Sequence, residues 1–224
     1  MTAVEAVVFD LDGVLLDSEH VWDEVREELA HEQGGRWNER AQADMMGMSS
    51  TEWSRYMHDV TGLSESPEEI NAEVVRRMQC RYAASLPLVE GAVEAVRRMA
   101  GAFRLALASS SNRPLIDSVL AAAGLAPLFE ATVSSEEVAN GKPAPDVFVE
   151  AARRLGVAPE RCAAVEDSGN GIRSARAAGM RVIAIPNRRY PPPDDALALA
   201  DLVLGSLNEL TINAVTGQRV KSSS

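Results

Sequence analysis

An α/β fold is predicted: a doubly wound parallel-sheet core with a helical module inserted after its first strand. Three observations carry the prediction. After residue 90 the chain alternates strand-like and helix-like patterns of ordinary length, the signature of a parallel sheet covered on both faces. Residues 18–86 show helical patterns only, and they hold all three tryptophans (Trp22, Trp37, Trp53), while all four phenylalanines (Phe9, Phe103, Phe129, Phe148) lie outside them. Ahead of that stretch, Val7-Val8-Phe9 forms the near-continuous apolar run of a strand buried on both faces.

In chain order, the strand at 7–9 is followed by helical patterns at 18–33, 38–46, 50–61 and 67–84, with breaks near Gly34-Gly35 and Gly62. A helix over 91–101 then leads into a buried strand at 103–108. The alternation continues with a helix at 113–123, a strand at 129–134, a helix at 145–155 and a strand at 162–166. A helix at 170–178 precedes strands at 181–185 and 201–204, and a short helix starts near 207. Gly124, Gly156 and Gly179 stand just past their helices, where a C-terminal stop is expected. The implied domains are a core of residues 1–17 and 87–216, a helical cap of residues 18–86 and a frayed polar tail of residues 217–224. Residues 13–17 and 86–90 would link cap to core.

Composition narrows the class. A chain of 224 residues, 46% hydrophobic, can bury a sizeable core. No apolar stretch reaches the ~20 residues of a membrane span, and the N-terminus lacks a signal pattern. A net charge of −11 without a basic stripe argues against a nucleic-acid partner. Cys80 and Cys162 are too few and too far apart for a disulfide framework or thiolate metal site, so a reduced, cytoplasmic protein is expected. Nothing in the sequence fixes an oligomeric state. Two lysines stand against twenty arginines, and Lys142 is the internal one, a place where arginine would not serve.

Ligands of open α/β sheets sit beyond the carboxyl ends of the strands. Read at those ends, the first strand stops in Asp10-Leu11-Asp12 and the second in Ser109-Ser110-Ser111-Asn112. Gly141-Lys142-Pro143 follows the third, and Glu166-Asp167-Ser168-Gly169-Asn170-Gly171 follows the fourth. Each cluster has an ordinary explanation alone. Asp10 and Asp12 suit an Asx-turn loop, Ser109 suits a helix cap before Asn112-Arg113-Pro114, and Glu166-Asp167 suits a helix start. Together they place carboxylates, hydroxyls and one ammonium on a single edge. Two neighbouring ionised aspartates repel unless something positive lies between them. Asp10, Asp12 and Asp167 supply the hard oxygen ligands that suit Mg²⁺, and a carboxylate is a competent nucleophile toward phosphorus.

The segments "DLDGVLLDSE", "LALASSSN", "GKPAPD" and "VEDSGNGIRSARAAG" resemble, in order and spacing, the four motifs of the haloacid dehalogenase-like superfamily, in its branch with a helical cap after the first strand. The resemblance covers residues 4 to about 205. It implies a Mg²⁺-dependent enzyme acting on a small phosphorylated metabolite through an aspartyl-phosphate. Asp10 would be the nucleophile, and Asp12 the general acid/base and a metal ligand through its carbonyl. Ser109, Ser110, Asn112 and Lys142 would hold the phosphoryl group, and Asp167 and Glu166 the metal.

Within this resemblance, an acid/base at Asp12 disfavours dehalogenation, and a cap without lysine disfavours Schiff-base chemistry. A β-phosphoglucomutase-like mutase remains as the alternative to a phosphatase, beside a non-catalytic binding protein on the same fold. Two departures count against the mutase. Met45 to Ser50 replaces basic residues that grip a second phosphate, with no cation nearer in sequence than Arg40 or Arg55, and Trp22 stands where mutases place a histidine. His20, His31 and His58 read as surface or packing residues.

Overall fold

A computed structural model describes residues 3–38, 40–45 and 48–217. Its centre is a six-stranded sheet made of β1 (Ala6–Phe9), β2 (Arg104–Ser109), β3 (Ala131–Ser134), β4 (Cys162–Glu166), β5 (Arg181–Ala184) and β6 (Leu202–Val203). The order is β3-β2-β1-β4-β5-β6 and every pair is parallel. The chain grows outward from β1 to one side, then restarts at β4 on the other. The reversal therefore falls between β1 and β4, where Ala6 pairs with Cys162 and Phe9 with Val165.

Alternation along the strands divides the core into two faces. Val7 and Phe9 of β1, Leu105 and Leu107 of β2 and Val165 of β4 point to one side. There they meet α5 (Ala92–Ala100) and α6 (Arg113–Ala122) through Val96, Met99, Ile116 and Val119. Ala6, Val8, Ala106, Ala108 and Ala164 point to the other side. These are mostly alanines, and α7 (Asp146–Leu155) and α8 (Gly169–Ala177) lie over them with Phe148, Ala152, Ile172 and Ala175.

Between β1 and α5 the chain forms α1 (Glu19–Glu32), α2 (Ala41–Met45), α3 (Ser50–Asp59) and α4 (Pro67–Ala84). Capping boxes start two of them: Ser49 with Glu52 opens α3, and Ser66 with Glu69 opens α4. The connections into and out of this segment are bonded to each other. Asp17 N–H donates to the Pro87 carbonyl at 2.8 Å and Val89 N–H to that of Leu15 at 3.0 Å. Val14, Leu15 and Leu16 are buried, and one apolar cluster runs through them from Phe9 to Trp22, Trp53, Met57 and Met78.

Several boundaries differ from expectation. The helix expected over 38–46 begins only at Ala41, because the Asn38 side chain accepts the Arg40 N–H at 2.9 Å in an Asx turn. The helix expected from 207 is a single 3₁₀ turn at Leu207–Glu209. The true helix, α10 (Ile212–Thr216), starts where the Thr211 hydroxyl accepts the Ala214 N–H. A short helix, α9 (Asp194–Leu197), follows three prolines and went unforeseen. Of the tail, Gly217 closes α10, and residues 218–224 lie outside the described residues, as do Met46 and Gly47. No helix among the described residues is long and apolar enough to cross a membrane.

Candidate active site

All four polar clusters contribute to one cleft at the carboxyl edge of the sheet, on the reversal between β1 and β4. Asp10 leaves β1 with its N–H still bonded to the Val165 carbonyl at 3.0 Å, so ladder pairing sets its position. Lys142 comes from the loop before α7. Its ammonium donates to Asp10 Oδ1 at 2.7 Å, to Glu166 Oε1 at 2.6 Å and to the Ala108 carbonyl at 3.1 Å. All three donors of a buried ammonium are thus matched, as a buried charge requires. The Phe148 ring, 5.0 Å away, backs it.

Glu166 is fully buried and saturated. Besides the lysine on Oε1, its Oε2 accepts the N–H groups of Asp167 at 3.0 Å and Ser168 at 3.2 Å, and the Ser168 hydroxyl at 3.2 Å. Gly171 makes room for it, since a Cβ there would lie 1.8 Å from Oε1. Asp167 is the reverse case. Its Oδ2 is buried without a hydrogen-bond partner among the described residues, and a Cβ on Gly13 would fall 1.9 Å from that oxygen.

One ammonium does not balance three buried carboxylates. Burial pushes Asp10 up to about 8; Lys142 opposes the shift, and the charges of Glu166 and Asp12 add to it. Asp167 is raised well above the usual carboxylate range by burial and by Glu166 and Asp10. Burial alone would lower Lys142, but Asp10 and Glu166 outweigh it and hold the ammonium above its ordinary value. Asp10, Glu166 and Asp167 each present an oxygen within 4.8 Å of the others. A hard divalent cation fits that set: it would satisfy the orphaned Asp167 oxygen and relieve the repulsion that raises Asp10.

Asp12 stands apart from this cluster. Its Oδ1 accepts the Ser18 hydroxyl at 2.6 Å and the Trp22 indole N–H at 3.1 Å, and its Oδ2 accepts the Ser111 hydroxyl at 2.6 Å. Three donors from two segments, the start of α1 and the β2–α6 turn, hold it over the same cleft, which Asp10, Asp12, Trp22, Ser110, Ser111 and Lys142 help to line around a cavity of about 60 Å³.

The second cluster is shifted from expectation. Ser109 is wholly buried, its Oγ accepting the Ser111 N–H at 3.0 Å, and it is Ser110 and Ser111 that reach the cleft. Asn112 does not reach it. Its amide donates to Glu136 at 2.6 Å and to Asn71 of α4 at 3.1 Å, so it joins the helical segment to the core. Asn112 stands at the N-cap of α6, turned toward Glu136 and Asn71.

Arg26 was missed. It lines the cleft, carried there by α1 with its guanidinium carbon 4.7 Å from the Trp22 ring centroid and 4.8 Å from that of Trp53. The helical wall beside Met45 and Met48 therefore has a cation in space, although none lies nearer in sequence than Arg40 or Arg55.

Residues 4–179 match the haloacid dehalogenase-like hydrolases. Hexitol phosphatase B of Escherichia coli is 32% identical, over 95% of this chain and 96% of that one. A probable pseudouridine-5'-phosphatase of Drosophila melanogaster is 34% identical, over 89% and 88%. The crystal structure of CbbY from Rhodobacter sphaeroides in complex with phosphate superposes with a TM-score of 0.83 at 27% identity, covering 95% of this chain and 99% of the other. This chain belongs to the haloacid dehalogenase-like hydrolase family, in its phosphatase and phosphomutase branch.

Proposed function

We propose that the protein is a Mg²⁺-dependent phosphatase that hydrolyses a small phosphomonoester, such as a sugar phosphate, through an aspartyl-phosphate on Asp10. The observation that carries this is Lys142 held between Asp10 and Glu166 beside the unpartnered oxygen of Asp167. Asp10, Asp167 and the Asp12 carbonyl would hold Mg²⁺, with Glu166, already saturated by protein donors, touching it from the rim or through water. The ion supplies charge neutralisation on the phosphoryl oxygens when bound.

The chain's own groups do the rest. Lys142 orients Asp10, whose carboxylate oxygen attacks phosphorus while the bond to the leaving oxygen breaks. Asp12 delivers the proton that the leaving oxygen needs. A water then attacks the aspartyl-phosphate and gives its proton to Asp12, the Asp10–phosphorus bond breaks, and inorganic phosphate leaves. Ser18, Trp22 and Ser111 hold Asp12 in place for both transfers. Ser110, whose buried hydroxyl has no partner among the described residues, is the phosphate donor of its cluster, with Ser109 bracing the turn beneath it.

The same reading takes residues 1–17 and 87–216 as the catalytic core, 18–86 as the cap, and the cytoplasm as the place of action, with no nucleic-acid or membrane partner. A mutase is favoured by Arg26 and disfavoured by Trp22, whose indole donates to Asp12 but cannot accept a proton as an imidazole does. The test is a phosphate-release screen over sugar, polyol, nucleotide and glycolytic monoesters, with and without Mg²⁺, repeated with Asp10→Asn. Metal-dependent release that the variant loses is expected. Asp10→Asn activity within about tenfold of the parent, roughly 1.4 kcal/mol of barrier, would overturn the covalent route. Accumulation of an isomeric ester in place of free phosphate would make the protein a mutase.

A further inference from the structure

Gly141 stands directly before Lys142, and its φ is not in the left-handed region that usually calls for glycine. The reason for a glycine lies in a neighbour. A Cβ on Gly141 would stand 3.3 Å from Cβ of Ser49 and 3.8 Å from Oε2 of Glu52, both at the start of α3. Carbon atoms of side chains seldom approach so closely, and one of the two partners would have to give by a few tenths of an ångström.

The start of α3 touches the core at a second point, where Ser50 donates its hydroxyl to Oε1 of Glu136 at 3.0 Å. Glu136 lies in the 3₁₀ turn Ser135–Glu137, and the chain from there to Gly141 leads straight into Lys142. The helix therefore bears on the lysine loop near both ends. Of the two partners the helix is the stiffer. Ser49 donates its N–H and its hydroxyl to Oε2 of Glu52, at 2.8 and 2.7 Å, and Trp53 in the same turn is buried. In the loop Ala139 and Asn140 are exposed, and the Gly141 carbonyl is held by the Ala144 N–H at 3.0 Å. A crowded contact is thus relieved by the loop. Lys142 tolerates little of that movement, because its three bonds at 2.6 to 3.1 Å already fix the ammonium.

We infer that Gly141 is a positioning residue for Lys142: lacking a side chain, it lets the start of α3 seat against the loop and brace it where the ammonium meets both Asp10 and Glu166. The helical segment then contributes to the chemistry through the lysine as well as by walling the cleft. The competing role is local, with Gly141 serving only the conformation of its own loop.

The chain has two lysines, Lys142 and Lys221, so ¹⁵N-lysine labelling of the full chain gives the buried ammonium a resonance of its own. The parent, Gly141→Ala, Ser49→Gly and the double variant are compared by that Nζ resonance and by kcat and KM on p-nitrophenyl phosphate with Mg²⁺. Gly141→Ala is expected to move the resonance and to lower kcat about three- to tenfold, with KM within about twofold. Ser49→Gly removes the atoms that the new methyl meets and leaves an accepted N-cap residue. Alone it should change little, and in the double variant it should restore both the resonance and kcat. A local role predicts no rescue, and that result overturns the inference. So does an unchanged resonance, or a rise in KM with kcat intact, since α3 would then be the partner that yields. If Gly141→Ala does not fold, the double variant decides: a folded chain with the parent resonance supports the bracing contact, and a second failure refutes it. The kinetic readout rests on the phosphatase reading. Should the parent turn over neither p-nitrophenyl phosphate nor any other ester, that reading has failed, and the Nζ resonance still decides the role of Gly141.

Discussion

At the sheet edge Lys142 holds Asp10 at 2.7 Å and Glu166 at 2.6 Å with all three side chains buried. In the helical segment Arg77 holds Glu73 at 2.7 Å and Glu32 at 2.6 Å, with Glu32 exposed and Glu73 half-buried. The geometry is the same and the consequence is opposite. Solvent screens the surface triad, and removing a partner there costs about 0–1 kcal/mol. Removing a partner from the buried set strands a charge, at roughly 3–5 kcal/mol. The segment of α1 to α4 is held by apolar packing, Trp53, Met57, Val74 and Met78 among it, and its ion pairs decorate it. The sheet edge keeps a fixed set of charges in place at the expense of stability. On the proposed reading, the sheet edge performs the chemistry and the helical segment supplies the wall that meets the leaving group.

The largest expected effect comes from exchanging the cation at the edge for the one the rest of the chain uses. Lys142→Arg keeps the charge but cannot place three donors on Asp10, Glu166 and the Ala108 carbonyl from a planar fork. A fall in kcat on the order of 10²–10³ is expected. Arg77→Lys, the converse exchange, should leave kcat within about twofold. If Lys142→Arg turns over normally, the distinction between the two triads fails.

Next is Gly171→Ala. The added methyl meets Glu166 at 1.8 Å and must displace it from Lys142 and from the N–H groups of Asp167 and Ser168. Overpacking of this kind costs about 1–3 kcal/mol. Urea unfolding should show that loss together with a drop in turnover, and an unchanged midpoint would mean that Glu166 is not seated by this contact.

A smaller effect concerns the cation. Asp10, up to about 8, and Asp167, also raised, keep protons in the fold that the unfolded chain releases near pH 4. Folding therefore binds protons, and these groups lose stabilising effect as pH rises from about 4 to about 8. Mg²⁺ binds the ionised set, so its stabilisation should grow across the same window. Melting in millimolar MgCl₂ against EDTA should differ little near about pH 5 and by roughly 3–6 °C near about pH 8. A difference that stays flat or shrinks with pH would show that the three carboxylates do not hold the ion.

The smallest expected effect lies at the seam. Glu136 Oε1 accepts Ser50 of α3 at 3.0 Å and Asn112 at 2.6 Å, and Asn112 also meets Asn71 of α4. Glu136→Gln keeps the shape and removes the charge that these donors share. A loss of about 1 kcal/mol in urea is expected, with KM changing more than kcat because the contact joins the two regions without entering the cleft. A kcat effect as large as that of Lys142→Arg would place the seam in the chemistry.

How much of this was readable before the structure depended on the kind of signal. Asp10, Glu166 and Asp167 each follow an apolar run that ends at a strand terminus, and Lys142 is the lone lysine of an arginine-rich chain, so strand ends alone assembled the charged cluster. Of the expected Ser109, Ser110 and Asn112 only Ser110 lines the cleft, joined by Ser111, and this was not readable because a turn decides side by side which side chain faces in. Arg26 was hidden among twenty arginines, yet a signal existed. It lies four residues after Trp22 and three before Leu29, on the buried face of α1, where a solvated arginine has no place. The late start of α2 turned on one Asn38 side chain, which periodicity does not register.

The strand order also sets a timetable. The ribosome delivers β1 before either of its neighbours, and Ala6 must wait for Arg104 on one side and for Cys162 on the other. The helices α1 to α4 emerge in between, and α3 and α4 can already pair through contacts close in sequence. Non-local pairing of this kind is the slow part of folding. Until β4 is made, Val7, Val8 and Phe9 remain an apolar strand with an open edge on the nascent chain, the kind of template that invites wrong partners. Asp10, the proposed nucleophile, thus sits at the end of the first strand synthesised and among the last to be enclosed.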